Sequence, residues 1–410
     1  MTRQAFHTKA HFYLTILIAF SLPFAILTPL FIALMLLNWL VEGDFKNKFQ
    51  NIFQNKFALL FIAFYLLHLI GLLYTQNLDS GLFDVQVKLS LIIFPLIVAS
   101  KKPDQDLLGN TIKAFVIGAI ASALIMYFVA GYYFIFYSAH RFFYMEFAIF
   151  MHPSYLSMYI NFAIAWLLFN VAKKTLPKPL FSLTLDLVVV AFLSFTNVLL
   201  SSKLGMITMF LLYFGFLIYF IICRKKYLIG ISAILVIVVS IYLVLRFVPE
   251  INGRISRAIT AVSSSTTNQT DAESTAVRLL VWKAANQVIS ENPIFGTGTG
   301  DAKDELMKEY EKRGMTGALE HKLNSHNEYY QVFLALGLVG FLLLLSNLFF
   351  PLFFAIKTSN IVYLLFLLII IINFFTESMF ETQAGVIFYA FFNSLLCFNN
   401  KIEKSLTLNH

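Results

Sequence analysis

Charge is what this sequence has least of. Only 13% of its 410 residues are Asp, Glu, Lys or Arg, about half the share of about 25% in ordinary soluble domains. With 59% apolar and 17% aromatic residues, a water-soluble globule is excluded. Cysteine is nearly absent. Cys223 and Cys397 are the only two, and the topology derived below puts both near cytoplasmic helix ends, in reducing surroundings that exclude a disulfide framework. The sequence has no Asp-rich stretch and no His/Cys cluster with ligand spacing, so no metal and no cofactor is expected. Strict alternation of apolar and polar residues is missing as well: runs such as 228–245 are continuously apolar, which excludes a membrane β-barrel. No small-residue cleavage site follows Arg3 and Lys9, so the first apolar run reads as a retained helix rather than a signal peptide.

What is present is a series of apolar runs from residue 12 to residue 398, each near the length of about 20 residues that spans a bilayer as helix. The expected fold class is an all-α polytopic membrane protein. The stretch 12–41 is too long for one span, and Pro23 and Pro29 offer the break. Further spans are expected near 57–75, 88–100, 109–137, 153–172, 180–200, 204–222, 227–246, 328–356, 360–376 and 382–398, about twelve in all. This divides the chain into a bundle of about nine helices (1–246), one long loop with short helices (247–326), three C-terminal spans (327–398) and a tail (399–410).

Acidic residues are the minority, 22 against 30 Lys and Arg. In a soluble protein such an excess suggests nucleic acid. In a membrane protein it marks cytoplasmic loops, and no nucleic-acid partner is expected. Alternate short loops hold seventeen Lys and Arg on one side, among them Lys46, Lys101, Lys173 and Arg224, and three on the other, Lys88, Arg141 and Lys203. The first side is therefore cytoplasmic, both termini with it, and the long loop faces outward, beside the membrane lipids.

That loop opens with Arg254 and Arg257 and continues through a Ser/Thr/Asn-rich stretch at 263–275, which its composition predicts to be mobile. Val277, Leu280, Val281, Ala284 and Val288 then repeat at helical spacing up to Pro293, with Arg278 and Trp282 four apart on one face. Gly296, Gly298 and Gly300 precede Asp301. This turn is either a nest of backbone N–H groups for phosphate or a cap for the charged helix after it. Ser325 and Glu328 have the spacing of a capping box, which places His326 in the first turn of the next span. There the helix dipole keeps the imidazole neutral, as a general base requires; the alternative is an interfacial anchor beside Tyr329 and Tyr330. Glu377 and Glu381 lie four apart at the outer end of the last hairpin, where they either orient the cations or are solvated. His68 lies inside a span and is expected to bond a neighbouring helix.

At these residues the chain resembles the O-antigen ligase and polymerase family of bacterial membrane glycan transferases. The resemblance runs through Arg278 and Trp282, the segment from Asn292 to Gly300, His326-Asn327-Glu328-Tyr329, the Leu336-Gly337-Leu338-x-Gly340 step, His152-Pro153-Ser154-Tyr155, and Glu377 to Glu381. It implies a GT-C-like bundle that transfers a glycan, with inversion and without a metal, from an undecaprenyl-pyrophosphate-linked donor. The acceptor is lipid A-core or a growing glycan at the periplasmic face of the inner membrane. It also implies that His326 activates the acceptor hydroxyl and Arg278 holds the pyrophosphate. Lys203, in Ser202-Lys203-Leu204-Gly205, stands where the family has a second arginine; lysine keeps the charge but loses the bidentate fork. Arg254, Arg257, Glu377, Glu381 and His152 complete the expected substrate-binding set. Ligase is the favoured activity, with polymerase or protein O-oligosaccharyltransferase as alternatives. A transporter or flippase is the rival from another class, against which stands the absence of matching halves in the sequence.

Overall fold

The computed structural model describes residues 2–173, 180–222 and 275–399. The expected span 227–246, the Ser/Thr/Asn-rich stretch, Cys223, Arg224, Arg254, Arg257 and the tail from 400 lie outside the described residues. Every regular element among the described residues is helical. In chain order they are α1 (Arg3–Ser21), α2 (Thr28–Glu42), α3 (Phe45–Gln54), α4 (Lys56–Gly71), α5 (Leu78–Val87), α6 (Ser90–Ala99), α7 (Gln105–Tyr137), α8 (Tyr144–Phe147), α9 (Pro153–Lys173), α10 (Leu180–Leu199) and α11 (Lys203–Ile222). After the undescribed segment come α12 (Thr275–Glu291), α13 (Ala302–Lys312), α14 (Thr316–Glu320), α15 (Glu328–Lys357), α16 (Ile361–Phe374) and α17 (Gln383–Phe398).

The first apolar stretch breaks where its prolines sit. Pro23 lies in a 3-10 turn, Leu22–Phe24, and Pro29 in the first turn of α2, where the missing N–H costs no helical bond. Between α2 and α3, Gly43 and Asp44 take positive φ and turn the chain by 114°. The helix α3 exposes Phe45, Phe49 and Phe53 at spacing four and buries Lys48 and Ile52. Lys48 pairs with Glu42 at 2.8 Å.

Four segments are long and apolar enough to cross a membrane: Leu78–Ala99, Gln105–Tyr137, Pro153–Ala172 and Glu328–Lys357, or five if α2 and α3 count as one bent span. The expected count of about twelve is thus not reached among the described residues. For three of the expected spans the reason is length. Helices α4, α16 and α17 have 16, 14 and 16 residues, about 21–24 Å at 1.5 Å per residue, short of a hydrocarbon core of about 30 Å. One boundary is corrected outright. The span expected at 88–100 starts ten residues earlier, because α5 and α6 form one 22-residue apolar segment, and Lys88 lies within it rather than in an outward loop.

Helices in lipid gain little from burying apolar surface against each other, so close packing must hold them. Gly118 of α7 lies directly against the backbone of Phe20 in α1, where a Cβ would collide with the Phe20 carbonyl. The centre of the bundle is aromatic: Phe115, Tyr159, Phe162, Phe366, Phe388 and Phe392 are all buried. Tyr159 stacks on Phe388 with ring centres 4.3 Å apart. This core joins α7, α9, α16 and α17; α16 packs on α15, and α15 in turn meets α12.

Candidate functional site

The helix α15 is interrupted one-third of the way along. Gly337 has φ 62 and ψ −158, a conformation open essentially to glycine alone. In an unbroken helix the N–H groups of Leu338 and Val339 would donate to Leu334 and Ala335. Instead the loop after α12 fills the break. Thr297 N donates to Leu334 O at 2.8 Å and Gly298 N to Ala335 O at 3.0 Å, while Pro293 O and Ile294 O accept from Leu338 N and Val339 N at 2.9 and 3.3 Å. Thr299 N and Gly300 N are taken by Gly71 O and Thr75 Oγ1. The glycine-rich turn is therefore not a phosphate nest, since its donors are spent on the protein. Asp301 stands at the N-cap of the following helix, but its side chain does not cap it: the carboxylate accepts from Gln76 N and Asn77 N, both at 2.7 Å. This loop thus locks α12 to the α4–α5 connection and to α15.

The start of α15 also differs from the expected capping box. Asn327 is the N-cap and accepts from Tyr330 N at 3.1 Å. Ser325 Oγ is engaged instead with Asn327 O, Gln331 and Ser378. His326 accordingly precedes the helix, in the left-handed region at φ 45, with its N–H on Asn324 Oδ1. Glu328, the first residue of α15, accepts from Phe380 N at 2.8 Å and so binds the helix start to the 377–381 segment.

On this frame Trp282 Nε1 donates to Ser325 O at 2.9 Å, and its ring stacks on Tyr330. One turn earlier on the same face, Arg278 reaches Glu377 at 3.7 Å. His326 lies close enough to Arg278 and His152 for both to act on it. Burial, then the Arg278 guanidinium, then the His152 ring push its pKa down to about 4. A pKa this low favours the neutral imidazole near pH 7, and burial with the neighbouring Arg278 and His152 causes it, not a helix dipole. His152 precedes α9; its Nδ1 accepts from Ser154 N at 3.3 Å and its ring lies 6.3 Å from that of Tyr155. The structure therefore brings together Arg278, His326, His152 and Glu377. The ion pair engages one guanidinium nitrogen of a group with five N–H donors, which suits Arg278 to a second anion beside a neutral base.

The remaining expected residues divide. Lys203 begins α11, whose Gly205 packs on Ser157 and accepts from Asn161 Nδ2 at 2.9 Å. The first turns of α9 and α11 therefore lie side by side at one end of the bundle. Glu381 does not approach the cations of the site; it pairs with Lys88 at 3.2 Å, and burial raises its pKa above the ordinary carboxylate range. His68 bonds the carbonyl of Phe64 in its own helix, not a neighbouring helix. Its own carbonyl accepts from Thr299. The buried set of Lys88, Asp84, Glu381 and Glu328 is not expected from the sequence, although Asp84 and Lys88 stand four apart in an apolar run.

A helical membrane protein with a neutral imidazole, an arginine and a carboxylate gathered at one end of the bundle is the class these observations define. Within that class, the family model described as O-antigen ligase matches residues 188–345. This match agrees with the resemblance to the O-antigen ligase and polymerase family carried by the motifs of the sequence. The matched segment contains Lys203, Arg278 and His326, whereas His152, Glu377 and Glu381 lie outside it. A Haemophilus influenzae protein described as uncharacterized is 31% identical over 132 residues, 30% of this chain. The match spans about a third, 32%, of that protein's length.

Proposed function

We propose that the protein is an O-antigen ligase-like glycosyltransferase, moving a glycan from undecaprenyl-pyrophosphate to lipid A-core at the periplasmic face of the bacterial inner membrane. The observation that carries the reading is the placement of a neutral His326 beside Arg278, in a segment matched by the O-antigen ligase family. In the proposed reaction His326 takes the proton of the acceptor hydroxyl as its oxygen attacks the anomeric carbon. The bond from that carbon to the pyrophosphate breaks on the opposite face, with inversion. Arg278 stabilises the negative charge that gathers on the leaving group, as fixed donors do in other transfer reactions. Lys203, and Arg254 and Arg257 outside the described residues, supply further cations, and no metal is invoked. Glu377 holds the guanidinium in place, and His152 lies behind the base.

The proposed topology keeps both termini cytoplasmic and the segment 247–326 periplasmic, supported by the seventeen-to-three asymmetry of short-loop Lys and Arg. With Lys88 buried inside a span, the asymmetry only grows. Glycan analysis of a deletion strain tests the function. Lipid A-core without O-chain, together with long carrier-linked glycan, is the outcome expected for a ligase. Single repeat units on the core mean a polymerase, and loss of glycan from protein alone means a protein O-oligosaccharyltransferase. Unchanged glycans on all three overturn the glycosyltransferase reading.

A further inference from the structure

We infer that Lys88 is a positioning residue for the transfer reaction: through its buried ion pairs it fixes the 377–381 segment, and with it Glu377, against the helix that carries Arg278. The inference rests on the function proposed above. Lys88 is 2% exposed and touches no reacting group. Its ammonium donates to Asp84, one turn earlier, and to Glu381 at 3.2 Å. A lysine within an apolar span, paired with the two acidic side chains Asp84 and Glu381, is held there by them, and removing it leaves a buried acidic pair without its cation.

The consequence for the site follows from what the same five residues do. Glu377 pairs with Arg278. Ser378 Oγ accepts from Asn327 N and bonds Ser325 Oγ. Phe380 N donates to Glu328, and Glu381 ends the segment on Lys88. The other end of α5 is tied to the loop that follows α12: Asp301 takes the N–H groups of Gln76 and Asn77, and Asp304 takes the side-chain amide of Asn77 at 2.7 Å. Gly300 packs so closely on Gly81 that a Cβ would stand 2.7 Å from its nitrogen. Helix α5 is thus a brace between the two elements that contribute Arg278 and Glu377, and Lys88 is its fastening on the Glu377 side.

The test uses purified full-length protein with lipid-linked donor and acceptor. Lys88→Met is expected to lower kcat about 100-fold while the donor KM changes less than about threefold, since misplacement of about 1 Å costs on the order of 100-fold. Lys88→Arg, which keeps the charge, is expected to recover kcat to within about tenfold of the parent. A second readout is independent of turnover. In a Trp39→Phe, Trp166→Phe background Trp282 is the remaining tryptophan, and its hydrogen bond to Ser325 places it on the chain of contacts through Ser378. Lys88→Met is expected to increase its quenching by acrylamide, and Lys88→Arg to restore the parent value. Parent kcat in Lys88→Met, a loss confined to KM, or unchanged Trp282 quenching overturns the assignment. So does failure of both Lys88→Met and Lys88→Met with Glu381→Gln to fold, which makes Lys88 a folding determinant. If the parent transfers no glycan, the proposed function fails, and the quenching series still decides the role of Lys88.

Discussion

Replacing Gly337 by alanine tests the joint between loop and helix most directly. Its backbone conformation, φ 62 and ψ −158, costs a residue with a Cβ about 1–3 kcal/mol. The new methyl also meets backbone: it collides with the Ile294 carbonyl group and stands 2.5 Å from Gly296 N. Neither is the end of a flexible side chain, so relief requires the loop to move, at a further cost of about 1–3 kcal/mol. The total, about 2–6 kcal/mol, is a large part of the 5–15 kcal/mol that typically holds a domain together. The chain has one escape, which is to straighten α15 so that Leu338 and Val339 donate to Leu334 and Ala335. That regains two helical bonds, forfeits the four made with the loop, and expels residues 293–298. Hydrogen exchange of the Thr297 and Gly298 amides, read beside the thermal midpoint in detergent and the transfer rate, separates the routes. Strain lowers the midpoint; straightening preserves it, exposes both amides and abolishes transfer. Gly109→Ala, in α7 with open space where its Cβ would go, is the control and should not destabilise. A Gly337→Ala protein with parent midpoint, protected amides and parent turnover refutes the argument.

His326→Ala should leave the protein folded and collapse kcat. In the parent, activity should fall with acid near pH 4, because protonation of an imidazole held at about 4 removes the lone pair the base needs, and it should be flat in this group from about pH 6 upward. Arg278→Gln removes one of the charges that depress His326 and should move that acid limb to higher pH; an unmoved limb separates the two residues. Arg278→Ala should lose about 3 kcal/mol of transition-state stabilisation, by analogy with a single oxyanion donor, with Arg278→Lys recovering part; full activity in either would remove Arg278 from the leaving-group site. For the topology, a cysteine at exposed Ser290 should react with impermeant reagent in intact spheroplasts and one at exposed Ser359 should not, and the reverse pattern inverts the proposed orientation.

Helix placement was legible wherever apolar runs were long and ended at Pro, Gly or charge. The break at Pro23 and Pro29 and the shared face of Arg278 and Trp282 are cases of local chemistry that distant residues do not overrule. The start of α15 departs from its spacing because the hydroxyl of Ser325, free to cap by that spacing, is claimed by Ser378 from another element. The glycine-rich turn looked like an anion nest because its four N–H groups have no partners within the turn. Their acceptors lie in a helix break 37 residues on and in the α4–α5 connection, and no short window of sequence contains both. Lys88 was counted among loop cations because Asp79 and Asp84 dilute the apolar pattern of α5; the i, i+4 spacing of Asp84 and Lys88 was the available sign that this charge comes with its partner. Glu377 and Glu381, alike in sequence, are separated by the 3-10 turn at Met379–Glu381, which aims one carboxylate at Arg278 and the other at Lys88.

The hydrogen bonds that bridge the interrupted α15 bear on how such enzymes can be recombined. A segment that supplies a helix with donors and acceptors it lacks is not a module, even though it reads as an extramembrane loop. A chimera that exchanges residues 275–327 with a relative and leaves Leu334 to Val339 and Gly71 to Gly81 in place transplants half of each joint. Exchange boundaries for this protein therefore belong inside the bundle, where α15 is regular again beyond Gly340, with the α4–α5 connection moved in the same graft.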